Sequence, residues 1–416
     1  MRPTEPGPLA AYRHLWLPEL AVLIGIAVAT IALFNGTDLD LVAARAYYRP
    51  ESDEPWPLAR GTFWALLYHS APWVTGSLAL AGAALLVAGV RHPSRQRWRV
   101  HGGFILLAVI LGPGLVINGV LKDHWGRPRP RQLAEFGGLF EYQPPLIKAD
   151  TPGRSFPCGH CSVGYLYGLG WWLWRRSHPR RARFSLAAGI TIGTLLGLGR
   201  MAAGGHFLSD AIWSALIGFG IAHLLYYHVL RIPAREDRQP SLYPLIDRSP
   251  RLRRAVIVAT ITLAAGIVVG GIVASPHDRD LSARVALDAY VPRPQAFEVI
   301  AETLDVELRL VDSRSGEIGV VGYLHGFGLP GNELLVAWEF EPAPVPTLRF
   351  RITQKGWFPD IDGLARLEIP AGQLDSIRVA VDRGDISITD AEESNAPGRP
   401  QPEFDLTTRD GRVRRF

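Results

Sequence analysis

The chain has 416 residues, a formal net charge of +5, and 48% hydrophobic residues clumped into long runs. Its charge is divided: the part before His277 carries +13 and the remainder −8. Basic residues confined to short loops between apolar runs exclude nucleic-acid binding, and two cysteines, Cys158 and Cys161, imply no disulfide framework. Lysine is confined to Lys122, Lys148 and Lys355, with arginine elsewhere, a usage that points to a GC-rich bacterial genome.

Seven runs approach the length of a bilayer crossing, at about 17–34, 71–90, 103–121, 161–175, 185–199, 207–229 and 255–275. The first reads as a span and not as a cleavable signal. Arginines cluster after the second run (Arg91, Arg95, Arg97, Arg99), after the fourth (Arg175, Arg176, Arg180, Arg181, Arg183) and between the sixth and seventh. The positive-inside rule places those loops and the N-terminus in the cytoplasm, and everything after the seventh span outside. The outer segment Asn35–Ser70 is acidic at its start and apolar near Phe63–Tyr68, and no chemistry is evident in it.

From about 280 the pattern changes. Val306, Leu308 and Leu310 alternate with charged residues, and Ile377, Val379 and Val381 lead to Arg383-Gly384-Asp385 and then Ile386 and Ile388. This is strand and hairpin patterning. No internal repeat is evident. The expected division is a cytoplasmic N-terminus 1–16, six spans over 17–230, a basic cytoplasmic loop 231–254, a seventh transmembrane helix 255–275, an extracytoplasmic β-rich domain 280–392 and a disordered, Pro- and Gly-rich tail 393–416. The fold class is an all-α polytopic membrane bundle followed by a small β-rich domain. That domain could dock a periplasmic partner, guide substrate or only stabilise.

Chemistry gathers where spans three to six meet the outer face. Lys122 follows span three, with Arg127, Arg129 and Arg131 close behind. Arg154-Ser155-Phe156-Pro157-Cys158-Gly159-His160 precedes span four. Arg200 ends span five, and His206 opens span six, with Asp210 four residues on and therefore on the same helical face. A carboxylate there can hold one imidazole nitrogen and present the other as base or nucleophile. Lys122, Arg129 and Arg200, with helix N-termini beside them, make a pocket for a phosphate group.

Lys122 and Arg129-Pro130 with six residues between them, then Pro157-Cys158-Gly159-His160, then Arg200 and His206 with five residues between them and Asp210 after three more, resemble the three-part signature of the type 2 phosphatidic acid phosphatase superfamily. The resemblance covers roughly residues 70–230, and Arg200–Ser214 also resembles the lipid A phosphatase branch. The family pattern usually has serine where this chain has Cys158 and Gly199. The resemblance implies a six-helix membrane bundle with its site at the outer face of the bacterial inner membrane. It implies that His206 attacks phosphorus, that Asp210 orients and stabilises it, and that His160 protonates the leaving oxygen. Lys122, Arg129, Arg200 and the backbone at Cys158 and Gly159 would bind the phosphoryl oxygens, with no metal and no cofactor. The substrate would be a phosphorylated lipid: lipid A, undecaprenyl pyrophosphate, phosphatidylglycerophosphate or phosphatidic acid. Two other readings stand beside it. One is a lipid-phosphate binding or transport protein without turnover. The other is a thiol–disulfide oxidoreductase using Cys158 and Cys161, a motif that normally follows a strand and here opens a span.

Overall fold

Backbone groups without access to water must bond within their own segment, so long apolar runs fold as helices. The computed structural model describes residues 12–415 except 53–54, 139, 150, 152, 239–243, 274, 312–315, 330, 357–359 and 391–401. Among the described residues, six helices are long and apolar enough to cross a membrane. They are α1 (Arg13–Gly36), α2 (Thr62–Arg91), α3 (Gln96–Leu121), α5 (Pro179–Ala202), α6 (Leu208–Val229) and α7 (Pro250–Gly271). Parts of the expected N-terminal segment, basic loop and tail lie outside the described residues.

The fourth expected span, 161–175, does not reach that length. It is α4 (Gly159–Tyr165), a 3-10 turn Leu166–Leu169 and a last α-helical piece Gly170–Trp174. Its glycines serve close packing instead of length. A methyl on Gly164 would come 2.6 Å from Gly193 Cα, and one on Gly189 would come 2.3 Å from Gly168 N. Small residues four apart on both partners let the α4 segment and α5 touch backbone to backbone.

The second half of α3, Ile110–Leu121, is wound as a π-helix around Pro113. Proline has no N–H to donate four residues back, so the regular ladder fails there. Asn118 Nδ2 donates to Pro113 O at 2.6 Å, within this stretch. The irregular winding leads directly into Lys122.

The strand unit, from Ile272 onward, is described by itself. Its strands are β1 (Ser275–Ala286), β2 (Ala296–Thr303), β3 (Asp305–Val311), β4 (Glu317–Gly328), β5 (Glu333–Glu341), β6 (Thr347–Lys355), β7 (Asp360–Pro370), β8 (Ser376–Arg383), β9 (Ile386–Asp390), β10 (Glu403–Asp410) and β11 (Val413–Arg415). They form a six-stranded sheet, β1-β4-β7-β3-β9-β11, and a five-stranded one, β10-β8-β2-β6-β5. Phe297, Val299, Phe350, Ile377 and Val379 of one sheet and Val306, Leu308, Leu367, Ile386 and Ile388 of the other share a single buried core.

Two expectations fail here. Residues 376–389 do not form a hairpin. β8 pairs in parallel with β2, while β9 pairs in parallel with β3 in the other sheet. Alternation specifies which face of a strand is buried but not which strand pairs with it, so both arrangements fit the same pattern. Residues 403–415 are also not a structureless tail, since β10 and β11 extend the two sheets by parallel pairing with β8 and β9. The underlying device is a repeated strand–bend–strand. Leu304 N donates to Arg383 O at 2.9 Å, and Gly384 N donates to Asp410 O at 3.0 Å, so successive bends stack. Asp305 Oδ1 accepts from Asp385 N at 2.7 Å, and Asp385 Oδ1 accepts from Arg412 N at 2.8 Å, one step further along.

Candidate active site

Chain connectivity brings four segments to one end of the helical unit: the exit of α3 at Lys122, the entry of α4 at Gly159, the exit of α5 at Arg200 and the entry of α6. One apolar cluster fixes three of the helices just below that end. Leu67, Ala71 and Val74 of α2 pack with Val163 of α4 and with Ile192 and Leu196 of α5. Val163 is three residues beyond His160 and Leu196 four residues before Arg200, so both functional side chains stand about one turn above the cluster.

His206 does not open the helix as expected. The helix starts at Leu208, with Phe207 as its N-cap. His206 stands just before it, buried, with Nδ1 hydrogen bonded to Ser155 O at 2.6 Å. A carbonyl can only accept, so Nδ1 carries the proton and Nε2 keeps its lone pair. Nε2 has no hydrogen-bond partner among the described residues. Asp210 Oδ2 lies 3.5 Å from Nδ1, close enough for charge stabilisation but longer than a good hydrogen bond. The backbone of Ser155, and not the carboxylate of Asp210, therefore sets the ring's tautomer. Burial, followed by the positive charges of Arg200, Lys122 and Arg129, holds the His206 imidazole well below its ordinary 6.5.

Those three cations are the expected phosphate-binding set, and their charges converge on His206. Arg200 follows the turn closely: Gly205 N donates to Arg200 O at 2.9 Å, and a methyl on Gly205 would come 2.7 Å from Arg200 Nη2. The Arg129 loop is tied to the same turn, because Arg131 N donates to Gly204 O at 3.1 Å. Arg129 N itself donates to Gln132 Oε1 at 2.9 Å.

Asp210 is held by a fully buried ionic network. Arg127 Nη1 donates to Asp210 Oδ1 at 2.5 Å, and Nη2 donates to Asp40 Oδ2 at 2.8 Å. Ser155 Oγ donates to Asp210 Oδ2 at 2.6 Å, and Phe207 N donates to the same oxygen at 2.8 Å. Asp40 accepts from Ser209 N at 2.9 Å and from Ser209 Oγ at 2.5 Å, so it satisfies a buried first-turn amide of α6 that has no partner within the helix. Every carboxylate oxygen is bonded, which is the condition for burying such charges without a large penalty.

Cys158 caps α4. Its Sγ accepts from Cys161 N at 3.2 Å, and its carbonyl accepts from Ser214 Oγ at 2.8 Å. The two cysteines are joined in a buried disulfide. Gly159 lies against α3, where a methyl would come 2.5 Å from Asn118 Oδ1. His160 stacks on Tyr68 of α2, with ring centroids 4.8 Å apart and planes at 24°.

Sequence reasoning left Arg127 without a role of its own, found no chemistry in the segment of Asp40, and read Tyr68 only as part of an apolar stretch. Asp40 carried one signal, an aspartate inside the run Leu39-Asp40-Leu41-Val42. A carboxylate among apolar neighbours needs a partner. Ser155 and Ser209 gave none, because serine beside a helix start is ordinary, and neither did Ser214 within α6.

Residues 102–233 match the model of the PAP2 superfamily. A lipid A 4'-phosphatase of Francisella tularensis subsp. novicida (strain U112) is 35% identical over 129 residues, which is 30% of this chain and 55% of that protein. A lipid A 4'-phosphatase of Rhizobium leguminosarum is 36% identical over 118 residues, covering 27% of this chain and 48% of that one. The chain thus spans about half the length of these curated relatives. Among solved structures, a transmembrane PAP2-type phosphatidylglycerolphosphate phosphatase from Bacillus subtilis matches with 18% identity and a TM-score of 0.29, over 55% of this chain and 98% of that one. Six helices long and apolar enough to cross a membrane among the described residues, in a chain whose residues 102–233 match the PAP2 superfamily model, make this a multi-pass membrane protein.

Proposed function

We propose that the chain, whose residues 102–233 match the model of the PAP2 superfamily, hydrolyses a phosphate ester on a membrane lipid by way of a phosphohistidine. The observation that carries this reading is His206: Nδ1–H is committed to Ser155 O, and Nε2 has no hydrogen-bond partner among the described residues, in a site where the charges of three cations converge. In the first step Nε2 attacks phosphorus as the P–O bond to the lipid breaks, and His160 gives a proton to the departing oxygen. His206 becomes cationic, with Asp210 beside it. In the second step His160 takes a proton from water, whose oxygen attacks the phosphohistidine and releases inorganic phosphate. Lys122, Arg129, Arg200 and the backbone at Cys158 and Gly159 hold the phosphoryl oxygens.

The similarity to two lipid A 4'-phosphatases supports lipid A, at its 4'-phosphate, as substrate. The arginine-rich loops support a site on the outer, periplasmic face. The cation clamp supports catalysis without a metal, so phosphate release is expected to survive excess chelator.

The decisive experiment is a chase with labelled lipid phosphate followed by acid-sensitive trapping. Label is expected on His206, accumulating in His160→Ala. The variant His206→Ala is expected to lose turnover by roughly 10,000-fold or more while still binding the lipid. Label on another residue, or full activity in His206→Ala, sinks the mechanism. Binding without phosphate release from lipid A, undecaprenyl pyrophosphate, phosphatidylglycerophosphate or phosphatidic acid favours a transport or binding role. Release from one of them alone identifies the substrate.

A further inference from the structure

The ring of Tyr68 touches two of the site's working groups. The His160 imidazole stacks on it at 4.8 Å between centroids. The Arg200 guanidinium carbon also lies 4.8 Å from that centroid, over the ring. Tyr68 belongs to α2, which brings no other residue to the proposed chemistry. Its neighbour Leu67, and Ala71 three residues on, pack in the cluster that joins α2 to Val163 and Leu196. The ring is therefore delivered by a rigid helix, and its two contacts are delivered by two others. Tyr167 OH, 2.5 Å from Ser77 Oγ, ties α2 to the α4 segment again further down.

We propose that Tyr68 is a positioning residue that sets the proton donor His160 relative to the Arg200 phosphate clamp, through its ring face and not its hydroxyl. This rests on the reading of His160 as general acid. A cation over one aromatic ring and an imidazole stacked on the same ring are both attracted to its π-face, so the ring couples their positions. His160 lies at the start of α4, where the backbone fixes its Cα but does not by itself set the rotation of the imidazole about its side-chain bonds. A flat contact at 24° removes much of that freedom. A general acid must aim its proton at the leaving oxygen, and that aim is what the stack supplies.

The test uses the full-length protein in detergent with two substrates: a lipid phosphate monoester, whose alkoxide leaves poorly, and an aryl phosphate, whose phenolate leaves well. In Tyr68→Leu, kcat on the lipid monoester is expected to fall about ten- to a hundredfold with KM nearly unchanged, while kcat on the aryl phosphate falls less than about threefold. Tyr68→Phe, which keeps the ring, is expected to restore both rates. Retained aryl phosphatase activity also shows that the leucine variant is folded. Equal loss on both substrates, no loss on either, or failure of Tyr68→Phe to rescue would overturn the proposal. His160→Ala separates the two levels of inference. If it shows the leaving-group contrast and Tyr68→Leu does not, Tyr68 has no positioning role. If it too lacks the contrast, the general-acid role of His160 falls, and this proposal falls with it.

Discussion

The helical unit and the strand unit both bury apolar side chains but specify themselves differently. In the helical unit a few charges are set in apolar surroundings: Asp40, Arg127 and Asp210 are all fully buried. Each is expensive alone, so each must have a partner, and the partners build the site. In the strand unit the core is almost entirely aliphatic and aromatic, and its ion pairs lie outside that core, exposed as in Arg378 with Asp405 or part-buried as in Arg349 with Glu298. Specificity there comes from bends, where Gly384 and the aspartates Asp305 and Asp385 stack one repeat on the next. One unit is therefore sensitive to lost charge partners and the other to lost backbone freedom.

The largest effect expected from breaking that distinction is at Asp210. Asp210→Asn leaves the His206 imidazolium without its counter-charge and leaves Arg127 with Asp40 as its one remaining carboxylate. Phosphate release is expected to fall roughly 100- to 10,000-fold. Removing one member of a buried ion network also costs about 3–5 kcal/mol. Thermal melting followed beside the rate separates the two losses, since Asp40→Asn should destabilise comparably while sparing more of the rate. Equal rates in Asp210→Asn and wild type would remove Asp210 from the chemistry.

The counterpart in the strand unit is Gly384. Its φ is +131°, and a Cβ would lie 2.1 Å from Leu304 O. Gly384→Val is expected to cost a few kcal/mol of strand-unit stability. Phosphate release per folded molecule should not change, because no strand residue enters the proposed chemistry. A fall in rate with normal melting would show that the strand unit contributes to turnover.

A smaller effect should appear in pH dependence. The folded pKa of His206 is lowered, first by burial and then by Arg200, Lys122 and Arg129. The attacking imidazole therefore stays neutral below its ordinary 6.5, and the acid limb that it contributes to kcat/KM should lie below that value. Below 6.5 the unfolded chain also binds a proton at this site that the native chain does not, so stability falls with pH from there down to the lowered folded value. Lys122→Gln removes one of the positive charges and should move the imidazole titration, followed by nuclear magnetic resonance, upward toward 6.5. An unmoved titration would mean that Lys122 does not contribute, leaving burial and the two arginines to set it.

How much of this was legible differs between the units for the same physical reason. Lys122, Arg129, Arg200, His206 and Asp210 could be read because ionisable groups beside apolar spans are rare. The spacing of the last three survives folding because they lie at or beside the ends of α5 and α6, while Lys122 closes α3 and Arg129 follows in the loop after it. The Nδ1 partner of His206 was not legible, since the acceptor is the backbone carbonyl of Ser155, 51 residues away, and every residue has a carbonyl. In the strand unit the alternation of Val306, Leu308 and Leu310 gave the buried face, but the parallel stacking of β2, β8 and β10 depends on long-range pairing. The repeat is carried by Leu304-Asp305-Val306, Gly384-Asp385-Ile386 and Gly411-Arg412-Val413, three short stretches with little identity.

The smallest effect is expected at the cysteine pair, which also separates phosphatase from oxidoreductase chemistry. The disulfide closes only a short loop, with a sequence separation of 3, so the chain entropy that it removes is small. The backbone around Gly159 is held by other contacts: Ser214 Oγ on Cys158 O at 2.8 Å, and Asn118 against Gly159. Cys158 also caps α4 through Sγ, and a serine hydroxyl is a better acceptor at an N-cap than sulfur. Replacing both residues, Cys158→Ser with Cys161→Ser, therefore exchanges a short covalent loop for a stronger cap. Phosphate release should stay within about threefold of wild type, and reductant should change wild type by no more than that. A thiol–disulfide oxidoreductase would lose all activity in the double variant, because its thiolates are the reacting groups. If phosphate release fell a hundredfold with the helices intact, the disulfide itself would be what holds Gly159 and His160 in place, and the backbone contacts from Ser214 and Asn118 would not suffice.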